Sequence, residues 1–295
     1  MRGRSIPFIG AIPLCKLRPL AIENMLSQLR KRKNHRGQPV RESTVQHYLS
    51  AVSAVLSDAK RNEIIQTNPA RMIDLPTTNR MEQHIPTVQE VQRLLQALSM
   101  EPRHFRVFYL LAMATGCRRG ELCALQWQDI DWEQRSIHIC RSAVKITGDE
   151  IFVKEPKTRS GDRYVYFSAQ MENLLREYRR ACLYITTIYD ERELDTNDFL
   201  FRRQGTRLPM TPTTFTWRFK CILKKNGLPQ ELNVHSLRHT AASLMIAGGA
   251  DVATVAGILG HSQPSTTLNV YIHAFDKNRK PPARACRKCW RYDIV

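Results

Sequence analysis

Apolar positions recur at helical spacing along most of the chain. From Pro19, residues Ile22, Met25, Leu26 and Leu29 fall three or four apart, and the basic run Arg30, Lys31, Arg32 and Lys33 leads to the breaker Gly37. A helix and then an exposed loop are predicted. A second helix is predicted with Val45, Tyr48, Leu49, Val52, Leu56 and Ala59 on one face, Ser43 as its cap, and Lys60 and Arg61 near its end. Residues 1 to about 76 therefore read as all-helical. Asn68-Pro69, Pro76 and Pro86 punctuate a polar stretch, which places an interdomain linker at about 77 to 86. Thr87 and Glu90 then form a capping-box pattern ahead of Val88, Val91, Leu94, Leu95 and Leu98. Residues 105 to 114 are apolar enough for a buried helix ending near Gly116, and a further helix is predicted over 118 to 126.

After Trp127 the period changes. Ile137 and Ile139 alternate with polar neighbours, Thr147-Gly148-Asp149 is turn-like, and Ile151 with Val153, then Tyr164 with Tyr166, alternate again. One small antiparallel sheet is expected. Helical spacing returns at Leu174, Leu175 and Tyr178, at Phe215, Phe219 and Ile222, and over 237 to 246 and 252 to 259. The fold class is thus mainly α with a small antiparallel β-sheet. Trp127 and Trp217 sit in amphipathic contexts and read as core residues rather than base-stacking platforms.

A length of 295 residues exceeds the usual single core, so two domains are expected, and 42% apolar residues can fill both. Lys and Arg number 45 against 27 Asp and Glu, a formal charge of +18 that suits a polyanionic partner. There is no apolar run of about 18 residues and no secretory signal with a continuous apolar segment, so no membrane is expected and a cytoplasmic location is. The eight cysteines lack a framework of regular spacing and read as reduced thiols. Cys286 and Cys289 form one CxxC, but no second pair lies near enough for a zinc finger.

Towards the carboxyl end, His235, Arg238, His239, His261 and Tyr271 follow in order behind a TGCRRGEL segment that carries Arg118. Cutting a phosphodiester without a metal needs a nucleophile, donors for charge on the nonbridging oxygens, and an acid for the leaving sugar oxygen. Arginine serves the second task with a planar fork of donors that stays charged. A cation about 4 Å from the developing charge contributes roughly 4 kcal/mol at an effective dielectric of 20. Taken singly, each residue has a plainer reading. Arg118 can pair with Glu121 three positions on, His261 can follow a helix end, and Tyr271 can be a half-buried aromatic. His235 and His239 are four apart, as metal ligands can be, but the Glu that follows the first His in zinc hydrolases is missing.

Jointly, ATGCRRGEL, HSLRH, LGH and Tyr271 within STTLNVYIHA closely resemble the boxes of the tyrosine recombinases, or phage integrase family, across nearly the whole chain. The resemblance implies that Arg118 and Arg238 clamp the phosphate, with Glu121 bracing the site and His239 supporting it. It makes His235 a general base or proton donor, has His261 hydrogen-bond the scissile phosphate, and makes Tyr271 the nucleophile. The family's lysine, in the turn between the second and third strands, corresponds to Lys157 in KEPKTRSGDRYVYF, with Lys154 the nearest competitor.

The same resemblance implies a helical core-type DNA-binding domain over 1–80, a catalytic domain over 81–276 and an atypical basic tail over 277–295, the two domains clamping a duplex. A 3′-phosphotyrosyl intermediate follows, with no ATP, metal or other cofactor. The implied partners are double-stranded DNA attachment sites, a homotetramer on synapsed DNA, and an excision or host DNA-bending factor. PLCKL and LGHSQPSTTLNVYIHA resemble integrases of temperate phages and conjugative transposons, so integration and excision of a mobile element is the specific expectation. A recombinase that resolves chromosome or plasmid dimers, or a catalytically impaired DNA-binding relative, is the alternative. A metal-dependent nuclease would need clustered carboxylates, and none stands out. The chain's front reads as truncated, and KNRKPPARACRKCWRYDIV departs from the family's helical tail. Arg30, Lys31, Arg32 and Lys33 are candidate phosphate contacts that would position the protein rather than specify sequence.

Overall fold

The protein, seen here in a computed structural model, is described over residues 6–33, 37–74, 84, 86–146, 150–156 and 159–260. It divides into two compact units, Met1–Met81 and Glu82–Val295.

In the first unit a short helix α1 (Ile6–Ile9) precedes α2 (Pro19–Lys31) and α3 (Glu42–Arg61), with 3-10 turns at Leu14–Lys16 and Pro69–Met72. The predicted apolar stripes meet. Ile22, Met25, Leu26 and Leu29 of α2 pack with Val45, Val52 and Leu56 of α3, closed by Ala70 and Ile73. Asn68 fixes that closure: its amide accepts from the Ala70 N–H at 3.0 Å and donates to the Ser53 carbonyl and the Ser57 hydroxyl, each at 2.9 Å. Ser43 is not the cap that was expected. The helix begins at Glu42 behind an extended Arg41, because the Glu42 carboxylate both suits the positive end of α3 and accepts from Arg30 Nε at 2.9 Å.

The second unit runs α4 (Val88–Ser99), α5 (Arg103–Thr115), α6 (Arg119–Cys123), a 3-10 turn at Trp127–Asp129, β1 (Ile130–Asp131), β2 (Ser136–Ile139), β3 (Ser142–Lys145) and β4 (Ile151–Lys154). A 3-10 turn at Arg159–Gly161, β5 (Arg163–Tyr166), α7 (Ala169–Tyr189), α8 (Pro212–Lys225), α9 (Val234–Ala247) and α10 (Val252–Leu259) complete it. Thr87 and Glu90 form the predicted capping box on α4, with the Thr87 N–H donating to Glu90 at 2.7 Å. Helix α5 is central. Its Phe108 stacks on Phe215 of α8 with ring centroids 3.7 Å apart, and the Tyr109 hydroxyl donates to the Phe215 carbonyl at 2.7 Å.

The expected single sheet is two. β1, β2 and β5 form an antiparallel sheet in which Ile137 faces Val165, whereas β3 and β4 pair separately, with Val144 opposite Phe152. The break falls at Cys140 and Arg141, where Arg141 turns away to pair with the buried Asp129. Trp127 is buried as expected, but Trp217 is exposed. Phe215, Phe219, Ile222 and Leu223 define the inward stripe of α8, and position 217 lies on the opposite side of a 3.6-residue turn.

Candidate active site

The site begins where α5 stops. Gly116 has φ of 64°, and a Cβ there would lie 2.4 Å from Leu259 Cδ2 and 3.3 Å from Ala241 Cβ. Only glycine both turns the chain and lets α5 end against α9 and α10. The Gly116 carbonyl accepts from Arg238 Nη1 at 2.9 Å. Arg238 comes from the second turn of α9, whose start is set by Asn233, the side chain of which accepts from the N–H groups of His235 and Ser236 at 2.8 and 3.1 Å.

Arg238 is only 2% exposed, yet its Nε and Nη2 have no hydrogen-bond partner among the described residues. Burial, and then the Arg118 charge, bring its pKa down to about 10. An unpaired buried donor costs about 1–3 kcal/mol, and more on a charged group. The Nε–Nη2 edge is the side of a guanidinium that binds an oxyanion through two parallel hydrogen bonds.

Arg118 is the residue that precedes α6, not a residue within it, and its guanidinium is held on both sides. Its backbone N–H donates to Glu121 Oε2 and its Nη1 to Glu121 Oε1, both at 2.8 Å, while Nη2 donates to the Gly260 carbonyl at 2.8 Å. Glu121 is buried and takes a third donor, Arg163 Nη2 of β5, at 2.9 Å. Burial would push the Glu121 carboxyl up, but the hydrogen bond and charge of Arg163, with the side-chain and backbone hydrogen bonds of Arg118, hold it below its ordinary range. Arg163 was not among the residues predicted from the sequence.

His235 and His239 stand one turn apart on α9 with their rings edge to face, centroids 4.6 Å apart. Desolvation, followed by the charges of Arg238 and Arg118, lowers the His235 pKa. His239 is brought down to about 4 by burial, then by His235 and Arg238, and its Nε2 has no partner among the described residues. The direction of both shifts favours the neutral ring, the form a proton acceptor needs.

The structure thus brings Arg118, Glu121, His235, Arg238 and His239 together through α6, α9 and the end of α10. Lys157, His261 and Tyr271 lie outside the described residues. Lys154 ends β4, in register with Ser142. In the first unit, Arg30 is committed to Glu42 and the Arg32 guanidinium lies 4.8 Å from the Phe8 ring centre, while Lys31 and Lys33 are exposed. Among the described residues no group of His, Cys, Asp or Glu has a metal-binding arrangement, and no helix is long and apolar enough to cross a membrane.

Comparison with known proteins agrees on one family. The model of the Phage integrase family matches residues 86–278. The ICEBs1 integrase of Bacillus subtilis is 26% identical over 242 residues, 81% of this chain and 64% of that protein. A tyrosine recombinase XerC-like protein of Caldanaerobacter subterraneus is 28% identical over 203 residues, 65% of this chain and 50% of that protein. The chain therefore spans between half and two thirds of the length of these relatives. Among solved structures, the Tn1549 transposon integrase in complex with transposon right end DNA superposes with a TM-score of 0.73 at 22% identity, covering 92% of this chain and 86% of that one.

Proposed function

The chain belongs to the phage integrase family, and from that premise we propose that it is a site-specific recombinase that cuts and rejoins double-stranded DNA through Tyr271. One observation carries this reading: the buried Arg238 offers two donors on one edge that have no partner among the described residues, beside a second arginine held in place by Glu121 and Gly260. Two neighbouring guanidiniums suit a phosphodiester and the extra charge of its trigonal-bipyramidal transition state.

In this proposal Arg118, Arg238 and His261 hold the nonbridging oxygens. The Tyr271 oxygen bonds to phosphorus as its proton passes to His235, and the bond from phosphorus to the 5′ oxygen breaks. Lys157 gives that oxygen a proton, leaving a 3′-phosphotyrosyl link and a free 5′ hydroxyl. His239 packs against His235 and keeps its ring turned, while Glu121 braces Arg118. The new linkage is a phosphodiester like the old one, so a 5′ hydroxyl from a partner strand can reverse the step without an external energy source. Exchanging both strands of two duplexes requires four cuts, hence four protomers on two attachment sites. An excision or DNA-bending factor, the placement of the two units around the duplex with a boundary near residue 80, and a cytoplasmic location belong to the same reading.

Likeness to the ICEBs1 and Tn1549 integrases favours integration and excision of a mobile element. The XerC-like relative supports a second reading, resolution of chromosome or plasmid dimers. A pool of randomised nicked duplexes tests the activity. Denaturant-resistant adducts bearing one shared sequence are expected, and their absence under conditions where the chain binds duplex would leave a DNA-binding protein without turnover. Placing the selected sites on one plasmid or on two then separates resolution from integration.

A further inference from the structure

We infer that Arg163 is a positioning residue, a buried strut that keeps the Arg118 guanidinium and the end of α10 in fixed register, so that strand cleavage depends on it although it does not touch DNA. The inference rests on the recombinase reading for its link to cleavage, and on geometry alone for the strut.

The strand RYVY alternates buried and exposed, which turns Arg163 inward beside Val165 and leaves Tyr164 and Tyr166 outside. An inward arginine in a short strand is costly to bury, and its 7% side-chain exposure calls for compensation. That compensation reaches separate segments of chain. Nη2 donates to Glu121 Oε2 at 2.9 Å, Nε donates to the Ile258 carbonyl at 2.6 Å, and Nη1 donates to the Gly161 carbonyl at 3.3 Å. Ile258 lies in the last turn of α10, where carbonyls lack helical partners and a cation suits the helix dipole.

Two of these three contacts lie beside the groups that hold Arg118. Glu121 receives Arg118 Nη1, and Gly260, two residues beyond Ile258, receives Arg118 Nη2. Gly260 fits tightly over the same strut: its φ is 69°, and a Cβ there would stand 2.6 Å from the Ser160 carbonyl oxygen and 3.0 Å from Arg163 Nη1. One side chain therefore holds the carboxylate on one side of Arg118 and, through the Ile258 carbonyl, the end of α10 from which the Gly260 carbonyl reaches its other side, just ahead of His261 in the sequence. Lysine cannot replace it, because a single ammonium on a flexible stem cannot serve these acceptors in their different directions. If neutralising charge were the only task, apolar packing would serve as well.

The test uses the full chain with Arg163→Met and Arg163→Lys, each checked by thermal melting. Hydrogen exchange is followed over 117–121 and 252–260, duplex affinity is measured, and the single-turnover rate of adduct formation is read on a nicked duplex. Expected for Arg163→Met are faster exchange in those two segments with α8 unchanged, unaltered duplex affinity, and adduct formation slowed about 10- to 100-fold. Arg163→Lys should fall between. If Arg163→Met does not fold, Arg163→Lys is judged by the same criteria. A folded variant with wild-type exchange in both segments, or with the wild-type adduct rate, overturns the strut. A wild-type chain that forms no adduct overturns the recombinase reading instead, and the exchange measurement still decides whether the strut exists.

Discussion

Arg238 in α9 and Lys31 at the end of α2 carry the same charge, yet one is 2% exposed with two donors that have no partner among the described residues and the other stands in solvent. The difference separates two ways of meeting a polyanion. Lys31 and Lys33 are exposed and so screened by salt, and each adds a small salt-dependent attraction that is independent of sequence. Arg238 is desolvated in advance, with its place set by the Gly116 carbonyl, so an anion that reaches its fork meets donors already stripped of water and held in position. Arg30 and Arg32, which share the exposed run, are already occupied by Glu42 and Phe8. Charge density along a sequence is therefore a poor guide to which cations do chemistry.

The largest expected effect comes from Arg238→Met. Adduct formation should fall about 10²–10³-fold while the protein gains roughly 1–2 kcal/mol of stability, since a buried cation with two donors unmet among the described residues is replaced by apolar volume. A melting curve and a single-turnover assay check both signs, and a variant both inactive and less stable would mean that Arg238 is structural. Glu121→Gln should cost about 3–5 kcal/mol, because it leaves Arg163 buried without its countercharge, and denaturant titration measures the loss. The third test is pH. With a folded pKa of about 4 against an unfolded value near 6.5, His239 is uncharged in the fold when the unfolded chain already carries its proton. Stability tied to this ring is thus complete above about pH 6.5 and is lost as pH falls towards 4, by at most about 3 kcal/mol. His239→Phe should flatten that slope. The smallest effect is expected in the first unit: Lys31→Gln with Lys33→Gln should lower the salt slope of duplex binding by about 2 and leave the adduct rate at saturating DNA unchanged.

Much of this architecture was legible in the sequence. The stripes of α2, α3 and α4 have strong 3.6-residue spacing, and the segments TGCRRGEL and HSLRH carry Arg118 and Arg238 on sequence grounds alone. Arg163 escaped because a lone arginine in RYVY looks like a solvated strand position. The signal was its phase, since it shares the inward face with Val165. The same attention to phase would have put Trp217 outside, two residues from Phe215 on an amphipathic helix. The division into two sheets was hidden for another reason. It depends on Arg141 pairing with Asp129, a contact between a strand end and a 3-10 turn that no local period records. Ser43 lost the capping position to a tertiary ion pair, Arg30 with Glu42, which likewise has no local signature.

The central claim is that the paired guanidiniums seat a phosphate for attack by Tyr271. Mass spectrometry of a denatured, nuclease-trimmed adduct tests it most directly. A nucleotide remnant joined through its 3′ phosphate to the peptide containing Tyr271, and no adduct from Tyr271→Phe, is the predicted result. A remnant on any other residue, or an adduct that survives the Tyr271→Phe change, would contradict it.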